Sequence, residues 1–219
     1  MNNSLSRALL AIVVLVSASL SCSALSGLGN GPLLEDNFEG SDSNWGTGTD
    51  SDSSVEYSNG ALRMQIFTPN YLTWSTPNET DYPNVHIEVT AMHNDANSTT
   101  AFGVVCYEQE ITDSHYYFMI TPSGEYAIAK ASLAQSDVFL TNDDKWGQSD
   151  AIAENAASYR IGADCGNGTL TLYVDGQKID SVSDSTYTTG GVGIKGWSGT
   201  EAPSADIVFD DFVVTKLPQ

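Results

Sequence analysis

The segment Leu170–Val182, LTLYVDGQKIDSV, decides the fold class. Leu170, Leu172 and Val174 alternate with Thr171 and Tyr173, the period of two expected of a strand with one buried face. Asp175-Gly176 then supplies two residues that tolerate positive φ, as a type I′ turn requires, and Ile179 and Val182 fall in the returning run. The segment therefore reads as a β-hairpin.

Similar short runs recur outward from it, over 34–38, 54–57, 61–67, 71–75, 85–92, 101–108, 115–121, 125–130, 158–163, 191–196 and 205–216. Turn signals separate them, among them Asn59-Gly60, Ser123-Gly124, Asn167-Gly168 and Gly190-Gly191. About a dozen strands at this spacing predict an all-β jelly-roll sandwich of two antiparallel sheets. Only residues 149–157, SDAIAENAA, have helical composition, and they read as one helical turn or a capped loop. Residues 132–148 lose the alternation and read as a long surface loop.

The chain has 219 residues, enough for one sizeable β core. Its 28 acidic and 8 basic residues give a net charge of −20, which disfavours nucleic acid or an anionic membrane surface as a partner through long-range repulsion. The N-terminus carries Arg7, an apolar run from Ala8 to Val16 and then small residues, the layout of a secretory signal peptide over residues 1–21. Ala18-Ser19-Leu20-Ser21-Cys22 resembles a bacterial lipobox, so Cys22 is the expected lipidation site, with plain secretion as the alternative. Residues 22–32 then form a lipidated cysteine and flexible tether, and residues 33–217 the sandwich domain. The expected address is the cell envelope or cell surface, with the membrane reached only through the lipid.

With Cys22 in the anchor, Cys106 and Cys165 remain as an even pair in an exported chain, which favours a disulfide. Metal ligation is the competing reading, and no Cys or His lies at short spacing to support it.

The ordered segments LLEDNFEGSDSNW, FGVVCYEQ, SHYYFMITPSGEYAIAK, LTLYVDGQKIDSV, GGVGIKGW and IVFDDFVVTKL together resemble the concanavalin A-like jelly-roll superfamily, in particular its LamG-like and keto-disaccharide-hydrolase-like domains. The resemblance spans about Leu33 to Leu217 and implies two curved antiparallel sheets with carbohydrate on the concave face. It also agrees with a disulfide between these two cysteine-bearing strands. One position departs: Tyr107 stands where relatives tend to carry Arg after the cysteine.

Catalytic chemistry is not apparent. The E-x-D-x-x-E pattern of the superfamily's retaining glucanases is missing, Glu108 and Glu110 read as a solvated strand edge, and adjacent Asp210 and Asp211 point to opposite faces. His86, His93 and His115 have no G-x-S-x-G elbow and read as ordinary strand or loop residues.

Sugar C–H faces stack on aromatic rings, so Trp146 in the long loop and Trp197 at a strand end are the expected platform. Tyr107, Tyr117 and Lys130 are expected on the same concave face by alternation. The resemblance implies that Trp45 is structural and closes the sandwich end, and Trp74, within a strand, reads as core. Jelly rolls of several sugar-binding families tie their first and last strands with Ca²⁺, for which Asp36, Glu39 and Asp210 offer hard oxygens; no other cofactor is expected. The leading expectation is a non-catalytic module that binds carbohydrate or glycoconjugate. A glycoside or keto-disaccharide hydrolase, and a protein-binding adhesion module, are the alternatives.

Overall fold

The computed structural model describes residues 31–40, 44–77, 81–94, 99–109, 111–200 and 204–218. The signal peptide over 1–21, Cys22 and Glu110 lie outside these residues. Among the described residues sixteen strands follow in chain order: β1 (Leu34–Asp36), β2 (Gly48–Thr49), β3 (Ser53–Ser58), β4 (Ala61–Ile66), β5 (Leu72–Ser75), β6 (Val85–His93), β7 (Ala101–Gln109) and β8 (Ser114–Ile120) in the first half. The second half holds β9 (Glu125–Ala131), β10 (Val138–Phe139), β11 (Gly147–Gln148), β12 (Tyr159–Gly166), β13 (Thr169–Val174), β14 (Gln177–Ser183), β15 (Gly191–Trp197) and β16 (Ala205–Lys216).

They form two antiparallel sheets. The larger runs β14-β13-β12-β6-β16-β4-β3-β2, with β1 also on β16; the smaller runs β10-β9-β8-β7-β15-β5, with β11 also on β9. The hairpin of β13 and β14 closes at Asp175 (φ 50°) and Gly176 (φ 76°), the two positive φ angles that its Asp-Gly pair supplies. The loop over 149–157 resolves to turns, with Ser149 Oγ accepting from the Ala151 amide, so the capped-loop alternative is the one adopted. The expected surface loop over 132–148 is not strandless: β10 and β11 both pair with β9.

Alternation builds the core. Phe102, Val104 and Cys106 of β7, Tyr116, Phe118 and Ile120 of β8, and Val192 and Ile194 of β15 face Ile87, Ile161, Leu172, Phe209 and their neighbours from the larger sheet. Each large apolar side chain so buried contributes roughly 1.5–3 kcal/mol. Trp45 is structural as expected: its Nε1 donates to Asp36 Oδ2 at 2.8 Å, and its ring meets Phe38 and Phe212 edge-on.

Asp36 is thereby committed, since its other oxygen accepts from the Phe38 amide at 2.8 Å. Burial, with the charges of Asp211 and Glu39 adding to it, holds the Asp210 carboxyl above its usual range. The trio Asp36, Glu39 and Asp210 therefore does not assemble as expected, and no group of three metal-binding side chains occurs among the described residues.

Cys106 of the smaller sheet and Cys165 of the larger form a disulfide across the core. It closes a span of 59 residues, and loop-closure entropy assigns such a crosslink about 4 kcal/mol. Cys106→Ala/Cys165→Ala is expected to lower the unfolding free energy by about 2–5 kcal/mol in urea titration; an unchanged midpoint would show that the crosslink does not constrain the unfolded chain.

Candidate functional site

The parity that fills the core turns the remaining side chains of the smaller sheet outward. Ala101, Val105, Tyr117, Met119, Ala129 and Ala131 form a second apolar cluster on that outer face, with Leu72, Phe139, Trp146 and Trp197 packed on it. Small residues keep its floor low. Gly103 is obligatory there, because a Cβ would lie 1.8 Å from the Phe118 carbonyl oxygen.

A groove of about 480 Å³ runs along this face, lined by Asn70, Leu72, Tyr117, Met119, Asp137, Phe139, Trp146 and Trp197 among others. Three strand steps separate β9 from β15, about 14 Å at the usual spacing. Trp146, on the segment before β11, nevertheless stacks on Trp197, with ring centroids 5.9 Å apart and planes at 15°. The segment therefore folds back over the sheet. Phe139 meets Trp146 edge-on at 5.4 Å, and Trp197 Nε1 donates to Asn70 Oδ1 at 3.3 Å. Both indoles remain partly exposed.

Beside the groove, a hollow of about 250 Å³ is lined by Trp74, Asp113, His115, Leu133, Asp137 and Lys195, among others. It shares Leu72 and Asp137 with the groove, so the two are continuous. Lys195 and Trp197 are two apart on β15 and share a face, as do His115 and Tyr117 on β8. Lys195 Nζ lies 4.2 Å from the centroid of the Tyr117 ring and 5.3 Å from that of Trp74, and 2.8 Å from His115 Nε2. Tyr117 donates to Asp137 Oδ2 at 2.9 Å.

Lys195 is only 2% exposed. Burial pushes its pKa down to about 8, against the opposing pull of Asp137. Burial, with the Lys195 charge adding to it, lowers the pKa of His115 to about 3, so the imidazole is neutral at physiological pH. Burial and then Asp137 raise the Tyr117 phenol well above its ordinary range.

Of the five residues expected to bind ligand, Tyr117, Trp146 and Trp197 come together here, whereas Tyr107 and Lys130 do not. Tyr107 has φ 55° at a break in the β7–β8 register between Cys106 and Gln109, which reverses its side. Its hydroxyl points into the sandwich, 2.5 Å and 2.8 Å from the carbonyl oxygens of Pro83 and Cys165, and burial raises its pKa to about 12. Lys130 stands opposite Tyr116 in the register, so it shares the inward side with Ile128. There it donates to Asp184 at 2.8 Å and Thr186 at 2.9 Å. Trp74, expected in the core, lines the outer hollow instead. Lys195, Asp137 and Asn70 were not anticipated; for Lys195 the signal was GIKGW, whose alternation puts the lysine on the face of Trp197.

No protein-family profile matches the chain, and no curated protein matches it. Solved structures do. A carbohydrate-binding module from Bacillus subtilis superposes with TM-score 0.62 at 13% identity, over 80% of this chain and 96% of that one. A protein of unknown function with a galectin-like fold from Bacillus subtilis gives 0.63 at 12%, over 85% and 96%. A β-glucanase from Bacillus licheniformis gives 0.57 at 14%, over 86% and 100%. At these identities the likeness is one of fold, and the fold is the concanavalin A-like jelly-roll sandwich.

An ammonium buried against rings and a neutral imidazole costs stability. Because its pKa lies below that of the unfolded chain, the native state binds fewer protons between about pH 8 and 10.5, and stability from this group rises with pH across that window. Lys195→Met is expected to raise the unfolding free energy at pH 6–7 by roughly 1–3 kcal/mol, with the gain shrinking as pH approaches 10. Denaturation at the two pH values checks it, and a destabilised variant at pH 6 would contradict it.

Proposed function

We propose that the chain is a carbohydrate-binding module that holds a saccharide along the outer groove of the smaller sheet. The observation that carries this reading is the pair of partly exposed, stacked indoles, Trp146 and Trp197, over an apolar floor with Asn70 and Asp137 at hydrogen-bonding positions beside them. Sugars need that combination: ring faces for their C–H surfaces and polar groups for their hydroxyls. The solved carbohydrate-binding module and glucanase of the same fold support it. The order of the sequence segments supports a finer kinship with LamG-like and keto-disaccharide-hydrolase-like domains.

We also propose, from the N-terminal layout, that the module is exported and tethered to the membrane by a lipid on Cys22. Mass spectrometry of the N-terminal peptide from bacterial membranes is expected to find a diacylglyceryl Cys22. An unmodified Cys22, or secretion into the medium, would refute the anchor and leave the binding reading intact.

Binding is expected on a broad glycan array and in polysaccharide pull-down. Trp197→Ala and Trp146→Ala should each weaken it at least about 10-fold, or 1.4 kcal/mol. Tyr107→Phe, which alters only the interior, should leave the affinity unchanged. Silence across the array would remove the proposal. Sugar release abolished by Asp137→Asn would replace it with a hydrolytic role.

A further inference from the structure

Eight basic residues serve this chain of net charge −20, and the structure accounts for the described ones in distinct ways. Arg63 pairs with Asp206, Arg160 with Glu88 and Lys130 with Asp184. Lys145, Lys178 and Lys216 are exposed to water. Lys195 is neither: it is buried, and among the described residues no carboxylate forms an ion pair with it. A cation taken from water without a counter-ion is costly, and ring faces compensate only part of that cost.

The hydrogen bonds sharpen the point. An ammonium has no lone pair, so in the 2.8 Å contact Lys195 Nζ donates and His115 Nε2 accepts. The proton of the neutral imidazole then sits on Nδ1. That atom is buried without a hydrogen-bond partner of normal geometry, the nearby Asp113 backbone offering only a weak one. Lys195 has further N–H groups and faces rings with them. The hollow therefore presents surplus donors and a positive charge that, among the described residues, Asp137 offsets only from beyond ion-pair distance.

An acceptor bearing negative charge meets both needs at once. Phosphate-rich ligands fit poorly, because Asp113 and Asp137 line the same hollow and would repel multiple charge. A single carboxylate on a hydroxyl-rich ring fits, since Asp137 can accept from the neighbouring hydroxyls. The continuity of hollow and groove lets such a sugar sit in the hollow while the rest of its chain lies along Trp146 and Trp197.

We infer that the groove selects acidic saccharides, with the hollow at Lys195 and His115 receiving the carboxylate of a uronic acid unit. This rests on the carbohydrate-binding reading above and names its ligand class. Once seated, the carboxylate accepts from the Lys195 ammonium, and the salt bridge is shielded from solvent by Trp74 and Tyr117.

The test is calorimetry with short oligomers of galacturonic, glucuronic and mannuronic acid, each beside its carboxyl-reduced, neutral counterpart. At least one acidic form is expected to bind about 10-fold or more tightly than its neutral partner, with the ratio falling as salt is raised. Lys195→Met should collapse that ratio to about 1, and Lys195→Arg should retain part of it. Lys178→Met, the same charge change on the distant β14, should leave it unaltered. A Lys195→Met variant that melts at or above the wild-type temperature excludes misfolding as the cause. Equal affinity for acidic and neutral forms, a ratio that survives Lys195→Met, or binding confined to neutral glycans would overturn the inference and leave the binding reading standing. Absence of binding to any saccharide would overturn both.

Discussion

The parity of the smaller sheet is the constraint on which the rest depends. Along β7, β8 and β15, one set of alternate side chains closes the core and the other set makes the groove. A slip of one residue in β8 would carry Tyr117 into the sandwich and Tyr116 out of it. Core and site are thus one specification, enforced by the free energy of burying Tyr116, Phe118 and Ile120. The disulfide and the Tyr107 hydroxyl then pin that sheet to the larger one at the same end of β7.

The two outer faces treat charge differently. On the larger sheet, His86 lies between Asp164 at 2.6 Å and Glu88 at 3.2 Å, Glu88 also meets Arg160, and Tyr173 closes on Asp164. Hydrogen bonding to Asp164, against the opposing effect of burial, raises the His86 pKa. That network satisfies itself. On the smaller sheet Lys195 is caged by Trp74, Tyr117 and His115, and no carboxylate among the described residues pairs with it.

How far the sequence was legible follows from whether each feature is local. Asp175-Gly176 announced the hairpin because turn chemistry is a property of two residues. The place of Trp45 followed from the resemblance, the cysteine pair from the even count left in an exported chain, and the outward positions of Trp146, Trp197 and Tyr117 from residue type, loop position and alternation. Tyr107 was misread because one left-handed residue inverts the count, and nothing in GVVCYEQ marks where the bulge falls. Lys130 was misplaced because its side depends on which residue of β8 it faces, a matter of register between strands. Lys195 lay in plain view in GIKGW, but a lone lysine in a strand carries no sign of whether water will reach it.

The sequence by itself determined the strands, their turns, the apolar stripe of each and the acidity of the whole, because these follow from periodicity and composition within short windows. Only the tertiary structure decided that β15 lies between β7 and β5, that the segment before β11 folds back to set Trp146 on Trp197, and that Trp74, His115, Tyr117 and Asp137 enclose Lys195. Strand order and loop return join residues far apart in the chain, and they are chosen by the burial of two whole faces at once rather than by any stretch that can be read alone.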